Sequence, residues 1–150
     1  MLRKAIMIAL AILATLPAAA LDAEISYWAV QAEKEDRTEK HYGEGLGALK
    51  HELSDLPHDT FTLLMDGGLG ANFGNRAEAT LTPKYKLRIE PVDLDPDGRV
   101  RIRVIVKYES APGKLVDAID TRVVLTPGKV VRLGGLKLEE GDLVILFSAN

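Results

Sequence analysis

The segment from Lys84 to Arg103 constrains the fold of this chain more than any other. Charged and apolar residues alternate on both sides of a short acidic stretch, with the two-residue period of a half-buried β-strand. Residues 95–98 read Asp-Pro-Asp-Gly, which suits a type I turn, because proline presets φ at the second position and glycine accepts a positive φ at the fourth. The segment therefore predicts a β-hairpin.

The alternation also predicts a basic face on this hairpin. Tyr85, Leu87, Ile89, Val100, Ile102, Val104 and Val106 share the apolar face, and the cations on the other face are Lys84, Lys86, Arg88, Arg99, Arg101 and Arg103. Like charges directly opposite each other are destabilising, so we expect compensation by acidic neighbours such as Glu78, Glu90 or Asp120, or by an external polyanion. These six cations are the predicted binding residues. A solvated strand face with internal ion pairs is the simpler interpretation.

The N-terminal region has the three parts of a secretory signal peptide. A short basic start precedes an apolar run over residues 5–16, and small residues follow at 17–20. The run is shorter than the roughly 20 residues needed to span a bilayer. We expect residues 1–20 to be a signal peptide cleaved after Ala20, and residues 21–150 to form a single domain that is periplasmic or secreted. Cleavage after Ala23 and an uncleaved N-terminal anchor are the alternatives.

Composition and charge exclude some kinds of site and argue against nucleic acid as a partner. The chain has no cysteine, which excludes a disulfide framework and a thiolate metal site. It has 19 basic and 22 acidic residues, and two of the basic ones, Arg3 and Lys4, belong to the expected signal peptide. The mature protein is therefore net acidic, and we expect no nucleic acid as a partner.

Before the hairpin, the pattern alternates between strand and helix signals. Leucines at three- and four-residue steps form one helical stripe, which Pro57 ends. Gly67 to Gly74 resemble a phosphate loop only superficially, because no Lys-Ser/Thr pair follows them. The predicted elements are a strand over 23–32, a solvated loop or frayed helix over 33–40, a helix carrying Leu46, Leu49, Leu53 and Leu56, a strand over 59–65, a turn over 66–70 and a strand over 76–81.

After the hairpin, turn signals recur at short intervals. They lie at residues 111–114, 126–129, 134–135 and 139–142, and the β-branched or aliphatic segments between them are 116–125, 130–133 and 143–147. Short strands at this spacing are typical of an antiparallel meander or sandwich. We therefore expect a β-rich α+β domain in which one helix covers part of a sheet.

The later part of the chain resembles a known family. Tyr85–Pro91, the acidic turn and Gly98–Val104, followed by residues 119–125, 127–136 and 141–145, are similar in order to the late β-strands of bacterial outer-membrane secretins. The resemblance covers residues 84–147 and implies a non-catalytic β-domain of the cell envelope. Because the chain is too short for a secretin's periplasmic modules and pore-forming hairpins, it is closer in size to small exported bacterial proteins of undefined function. The implied partner is an envelope protein or an anionic surface, with no cofactor.

The hairpin turn also matches the opening of an EF-hand calcium loop. Residues 93–98 have the pattern D-x-D-x-D-G, but the twelfth position, which needs a bidentate glutamate, is Val104. Pro96 also lies inside the loop. An acidic hairpin turn is the better interpretation, with weak calcium binding by Asp93, Asp95 and Asp97 as the residual one.

One cluster supports a rival function. On the predicted helix, His51 and Asp55 at i and i+4 could share a metal, with Glu52 as general base and His58 beyond it. A zinc-protease signature would need a second histidine where Asp55 stands, and Pro57 breaks the helix before His58. An ordinary solvated helix face is the simpler interpretation. The alternative function is a small metal-dependent hydrolase; otherwise we expect no enzyme activity.

Overall fold

The computed structural model describes residues 22–149, without the side chains of residues 22–23 and 71–72. The predicted signal peptide and its cleavage site lie outside the described residues. Within them, no helix is both long and apolar enough to cross a membrane.

The described chain folds into two β-sheets and one short helical segment. Sheet A has the strand order β2-β3-β1-β9-β8, and sheet B has the order β4-β5-β6-β7. Neighbouring strands are antiparallel except for the parallel pair β2–β3. The elements are β1 Asp22–Glu33, β2 His41–Tyr42, a 3₁₀ turn Gly47–Leu49, α1 Lys50–Leu53, β3 Thr60–Asn72, β4 Ala77–Thr80, β5 Tyr85–Leu94, β6 Val100–Ala111, β7 Lys114–Leu125, β8 Val130–Lys137 and β9 Asp142–Ala149. The predicted β-rich α+β sandwich with one covering helix is confirmed.

The main core lies between the two sheets. Alternate residues of the central strands point into it, as a half-buried strand requires. The side chains that fill it include Ile25 and Tyr27 of β1, Leu143, Ile145 and Phe147 of β9, Leu87 and Ile89 of β5, and Ile102, Val104 and Val106 of β6. The predicted apolar face of the hairpin therefore packs against sheet A.

A second core lies on the opposite face of sheet A. Leu46, Leu49 and Leu53 are at most 2 % exposed and pack against residues of β1, β3 and β9. The predicted leucine stripe therefore packs against sheet A, but the helical segment is shorter than predicted, because it covers residues 47–53 and leaves Leu46 and Leu56 outside it. Sheet A is buried on both faces, which explains why five consecutive residues of β9, 143–147, are all buried.

One predicted turn is wrong. Residues 66–70 continue β3, which pairs with β1 as far as Asn72. Gly67 lies opposite Tyr27, and a Cβ at Gly67 would lie 2.8 Å from the Tyr27 hydroxyl oxygen. The glycine therefore makes room for a ring that crosses the strand, and does not form a turn.

The predicted turn at Gly134 and Gly135 is also wrong. Gly134 and Gly135 were predicted to end a strand, but they lie inside β8, which continues to Lys137. The register with β9 shifts between Leu133 and Leu136, and Gly135 has φ 90°. Here the glycines accommodate a β-bulge. The chain does reverse at the other three predicted turns, 111–114, 126–129 and 139–142.

Candidate functional site

The predicted hairpin forms between β5 and β6 and carries the candidate site on its outer face. At its turn, the Gly98 amide donates to the Asp95 carbonyl at 3.0 Å, and Gly98 has φ 81°. Asp95 Oδ1 accepts backbone hydrogen bonds from Asp97 and Arg99 at 2.9 and 3.0 Å. Desolvation raises the pKa of Asp95, but these bonds and the Arg99 charge outweigh it and lower the pKa overall.

Arginines engage the acidic residues of the turn. Arg99 lies 2.7 Å from Asp95 and 3.4 Å from Asp97. Arg101 lies 3.7 Å from Asp93. Because these carboxylates already have cationic partners within the hairpin, the geometry favours the acidic turn over a calcium loop.

Acidic neighbours also compensate the arginines farther along the hairpin. Arg103 donates to both carboxylate oxygens of Asp120, at 2.9 and 2.7 Å, and lies 3.7 Å from Glu90. The bond from Arg103 holds the pKa of Asp120 below its ordinary value, and the bond to Asp120 raises the pKa of Arg103. Arg88 lies 3.1 Å from Glu78. The expected compensation by Glu78, Glu90 and Asp120 is therefore confirmed.

The register corrects the expected opposition of six cations. Arg103 lies opposite Glu90, and Arg101 lies opposite Asp93. Lys84 precedes β5 and lies 3.8 Å from Glu139 of the β8–β9 turn. The basic residues of the second arm therefore pair with the acidic end of the first arm. The turn at residues 95–98 sets this register, and it places Arg88 and Lys86 opposite Ile105 and Lys107.

Two lysines on this face are less well compensated, although Lys107 lies opposite Asp117 of β7. Lys86 of β5 lies directly opposite Lys107 of β6, and neither has an ion pair among the described residues. They border a shallow cavity of about 360 Å³. We call this cavity the lysine groove and define it by Glu78, Thr80, Lys86, Arg88, Lys107 and Leu115.

Lys107 is the residue of the groove that our reasoning from sequence missed. The predicted site stopped at Arg103, where the regular alternation of basic and apolar residues ends. Lys107 keeps the same parity as Arg101 and Arg103, so extending the two-residue period through Ile105 would have placed it on the same face. The pattern therefore places Lys107 on the basic face, but it does not show that Lys107 lies opposite Lys86.

Two residues of the rival metal site, Asp55 and His58, have other partners. Asp55 accepts a hydrogen bond from Arg132 at 2.6 Å, which lowers the pKa of Asp55. His51 is exposed, and the His58 ring lies against Asp142. Within residues 22–149, no group of three or more histidine, aspartate or glutamate side chains is arranged to hold a metal ion.

His58 and Asp142 form a partly buried pair at the end of sheet A where β9 begins. His58 Nε2 donates to Asp142 Oδ2 at 2.6 Å, and Lys137 Nζ donates to Asp142 Oδ1 at 2.6 Å. The bonds from Lys137 and His58 together lower the pKa of Asp142. Both oxygens of this carboxylate are thus engaged, which indicates a structural tie between the β8–β9 turn and the segment before β3.

Comparison with known proteins adds no relative: no family model matches the chain, and no curated protein or solved structure is significantly similar to it. The resemblance to secretins therefore stays a prediction.

Proposed function

We propose that this protein is an exported component of the bacterial cell envelope that acts by binding or assembly, without catalysis and without a cofactor. Its contact surface is the outer face of sheet B, where the basic residues of the hairpin lie. The lysine groove is the centre of that surface. It receives a phosphate or carboxylate group of an envelope protein or of an anionic surface.

The observation that carries this proposal is the direct opposition of Lys86 and Lys107. Opposed like charges on neighbouring strands are destabilising, and an anion between them would relieve the repulsion. The arginines of the hairpin differ, because Arg88, Arg99, Arg101 and Arg103 each lie within 3.7 Å of a carboxylate. Among the cations of β5 and β6, the two without an ion pair in the described structure, Lys86 and Lys107, therefore both line the groove.

The chemistry of the groove fits an anionic group on a larger partner. Lys86 is exposed, and Lys107 is half-buried beside it. The Thr80 hydroxyl adds a hydrogen-bond donor, and Leu115, which is 42 % exposed, adds an apolar contact at the rim. An anionic group that belongs to a larger surface can contact the two lysines and Leu115 at the same time. The groove therefore suits such a group better than a free small anion.

The proposal is tested with the double variant K86E/K107E. Each lysine near an anionic surface contributes about 1 kcal/mol, so losing both should weaken binding by roughly thirtyfold. Binding is measured by co-sedimentation with phosphatidylglycerol vesicles, with phosphatidylcholine vesicles as the neutral reference. Crosslinking in intact cells followed by mass spectrometry measures the capture of envelope proteins.

The matched control is K34E/K129E, which makes the same charge change at two exposed lysines outside the groove. We expect the control to keep vesicle binding or partner capture at the level of the unmodified protein. Equal loss in both variants would indicate a dependence on net charge alone. Unchanged binding and capture in K86E/K107E would contradict the proposal.

A further inference from the structure

Strand β7 forms a long free edge of sheet B. It extends over 12 residues and pairs with β6 on one side, and no other described strand pairs with its second side. The other edge strands of the described structure, β2, β4 and β8, have 2, 4 and 8 residues. An unpaired edge of this length presents a row of N–H and C=O groups that can pair with a further strand.

The core beneath β7 is incomplete. Ile119 and Val123 face the core between the sheets but are only partly buried, whereas their cross-strand neighbours Val106 and Ile102 on β6 are 0 % exposed. On the outer face, Val124 is 46 % exposed. A strand added beside β7 would cover these apolar side chains.

The charges on β7 are complementary to those of a second β7. Asp120 and Arg122 lie two residues apart on the outer face, on either side of Thr121. In an antiparallel pair centred on Thr121, each Asp120 faces the Arg122 of the other copy, and each Ile119 faces a Val123. Centring the pair on Asp120 would oppose two aspartates, and centring it on Arg122 would oppose two arginines. Of these three registers, the one centred on Thr121 is the one that pairs opposite charges.

We propose that β7 pairs antiparallel with β7 of a second copy of this chain, centred on Thr121, so that two four-stranded sheets join into one sheet of eight strands. The pairing stays close to Thr121, because a register shift near Ala118 disturbs the strand beyond it. Leu115 at the rim of the lysine groove lies outside the paired stretch, so both grooves stay open. This inference is independent of the proposed function.

A symmetric crosslink tests the register. Cross-strand partners in an antiparallel pair have Cα atoms about 4.5–5.5 Å apart, which matches disulfide geometry. The chain has no cysteine, so T121C introduces a single thiol. Under mild oxidation we expect most of T121C to form a disulfide-linked dimer. The control T80C, at the exposed end of β4 on the opposite edge of the sheet, should remain mostly monomeric.

A charge reversal tests the same contact without a crosslink. R122D places an aspartate opposite Asp120 in both symmetric positions, and we expect the dimer dissociation constant, measured by sedimentation velocity, to rise about tenfold or more. K129D makes the same charge change in the exposed β7–β8 turn and should leave the constant unchanged.

Three results would each overturn the inference. The unmodified protein could sediment as a monomer at every soluble concentration. T121C could crosslink no faster than T80C. R122D could dissociate no more readily than K129D, which would place any dimer contact on another surface. If T121C does not fold, as judged by far-UV circular dichroism, the sedimentation data for R122D and the unmodified protein decide whether β7 forms the dimer contact.

Discussion

At the scale of single residues, Gly67 has a specific steric reason to be glycine. A Cβ at this position would lie 2.8 Å from the Tyr27 hydroxyl oxygen and 3.0 Å from two ring carbons. Tyr27 is only 7 % exposed and packs in the core between the sheets, so its ring has little room to move away. Gly68, the next residue, has no atom within 4 Å of the corresponding position.

We predict that G67A lowers the free energy of unfolding by about 1–3 kcal/mol, the usual cost of overpacking. G68A is the matched control, because it adds the same methyl group into open space. We expect G68A to leave stability unchanged or raise it by up to about 1 kcal/mol through the unfolded state. Urea denaturation measures both. Equal destabilisation by the two variants would show that Tyr27 is not the cause.

Asp142 makes stability depend on pH. The hydrogen bond from Lys137, followed by the one from His58, holds the pKa of this carboxyl below its unfolded value of 3.8. A carboxylate whose pKa is lowered by folding contributes stability that is complete above the unfolded pKa and is lost as the pH falls through the folded pKa. The expected window of loss is therefore below pH 3.8, on the acid side.

We predict that D142N lowers stability at neutral pH and reduces the loss of stability on acidification, because the variant has no carboxylate to protonate. The measurement is the urea midpoint as a function of pH. D66N is the control, since Asp66 is exposed on β3. If the two variants have the same pH profile as each other, the contacts of Asp142 do not carry the effect.

At the scale of strands and helices, alternation was the most informative pattern. It placed β5, β6 and the turn between them, because charged and apolar side chains report a half-buried strand directly. It failed for residues 66–70, which belong to β3 despite their glycines, of which Gly67 makes room for Tyr27. It also missed β2, since two residues such as His41 and Tyr42 carry no period.

The candidate site was only half predictable for a related reason. Which side chains face outward follows from the two-residue period alone. Which of them lie opposite each other also depends on the register shift between Pro91 and Asp93, and this shift has no clear sequence signal. That is why Lys86 was expected beside the arginines of the second arm and instead lies opposite Lys107.

The short helical segment depends on its contacts with sheet A. The 3₁₀ turn and α1 together cover residues 47–53, too few to form a stable helix in isolation. Leu53 is 0 % exposed and packs in the second core, whereas His51 in the same turn is exposed. Packing against sheet A, and not helix propensity, therefore holds the segment in place.

We predict that L53A lowers the free energy of unfolding by about 2–5 kcal/mol, the usual cost of removing a fully buried leucine. H51A should change it by less than about 0.5 kcal/mol, as expected for an exposed position. Chemical denaturation of the two variants gives the comparison. A small effect of L53A would mean that the segment does not rely on this contact.

At the scale of the whole molecule, sheet A couples the two cores. Within β9, Leu143, Ile145 and Phe147 point into the core between the sheets, whereas Val144 and Leu146 point into the core beneath the helical segment. β9 also pairs with β1, which begins the described chain. Neither core can be disrupted without loosening strands that the other core needs.

We therefore predict that the two cores unfold together as one cooperative unit. Trp28 is the only tryptophan and packs against the second core, so its fluorescence reports on that side. Far-UV circular dichroism reports on both sheets. The two signals should have the same urea midpoint, and they should shift together in I102A, which weakens the first core, and in L53A, which weakens the second. If the fluorescence transition moves alone in L53A, the helical side unfolds separately and sheet A does not couple the cores.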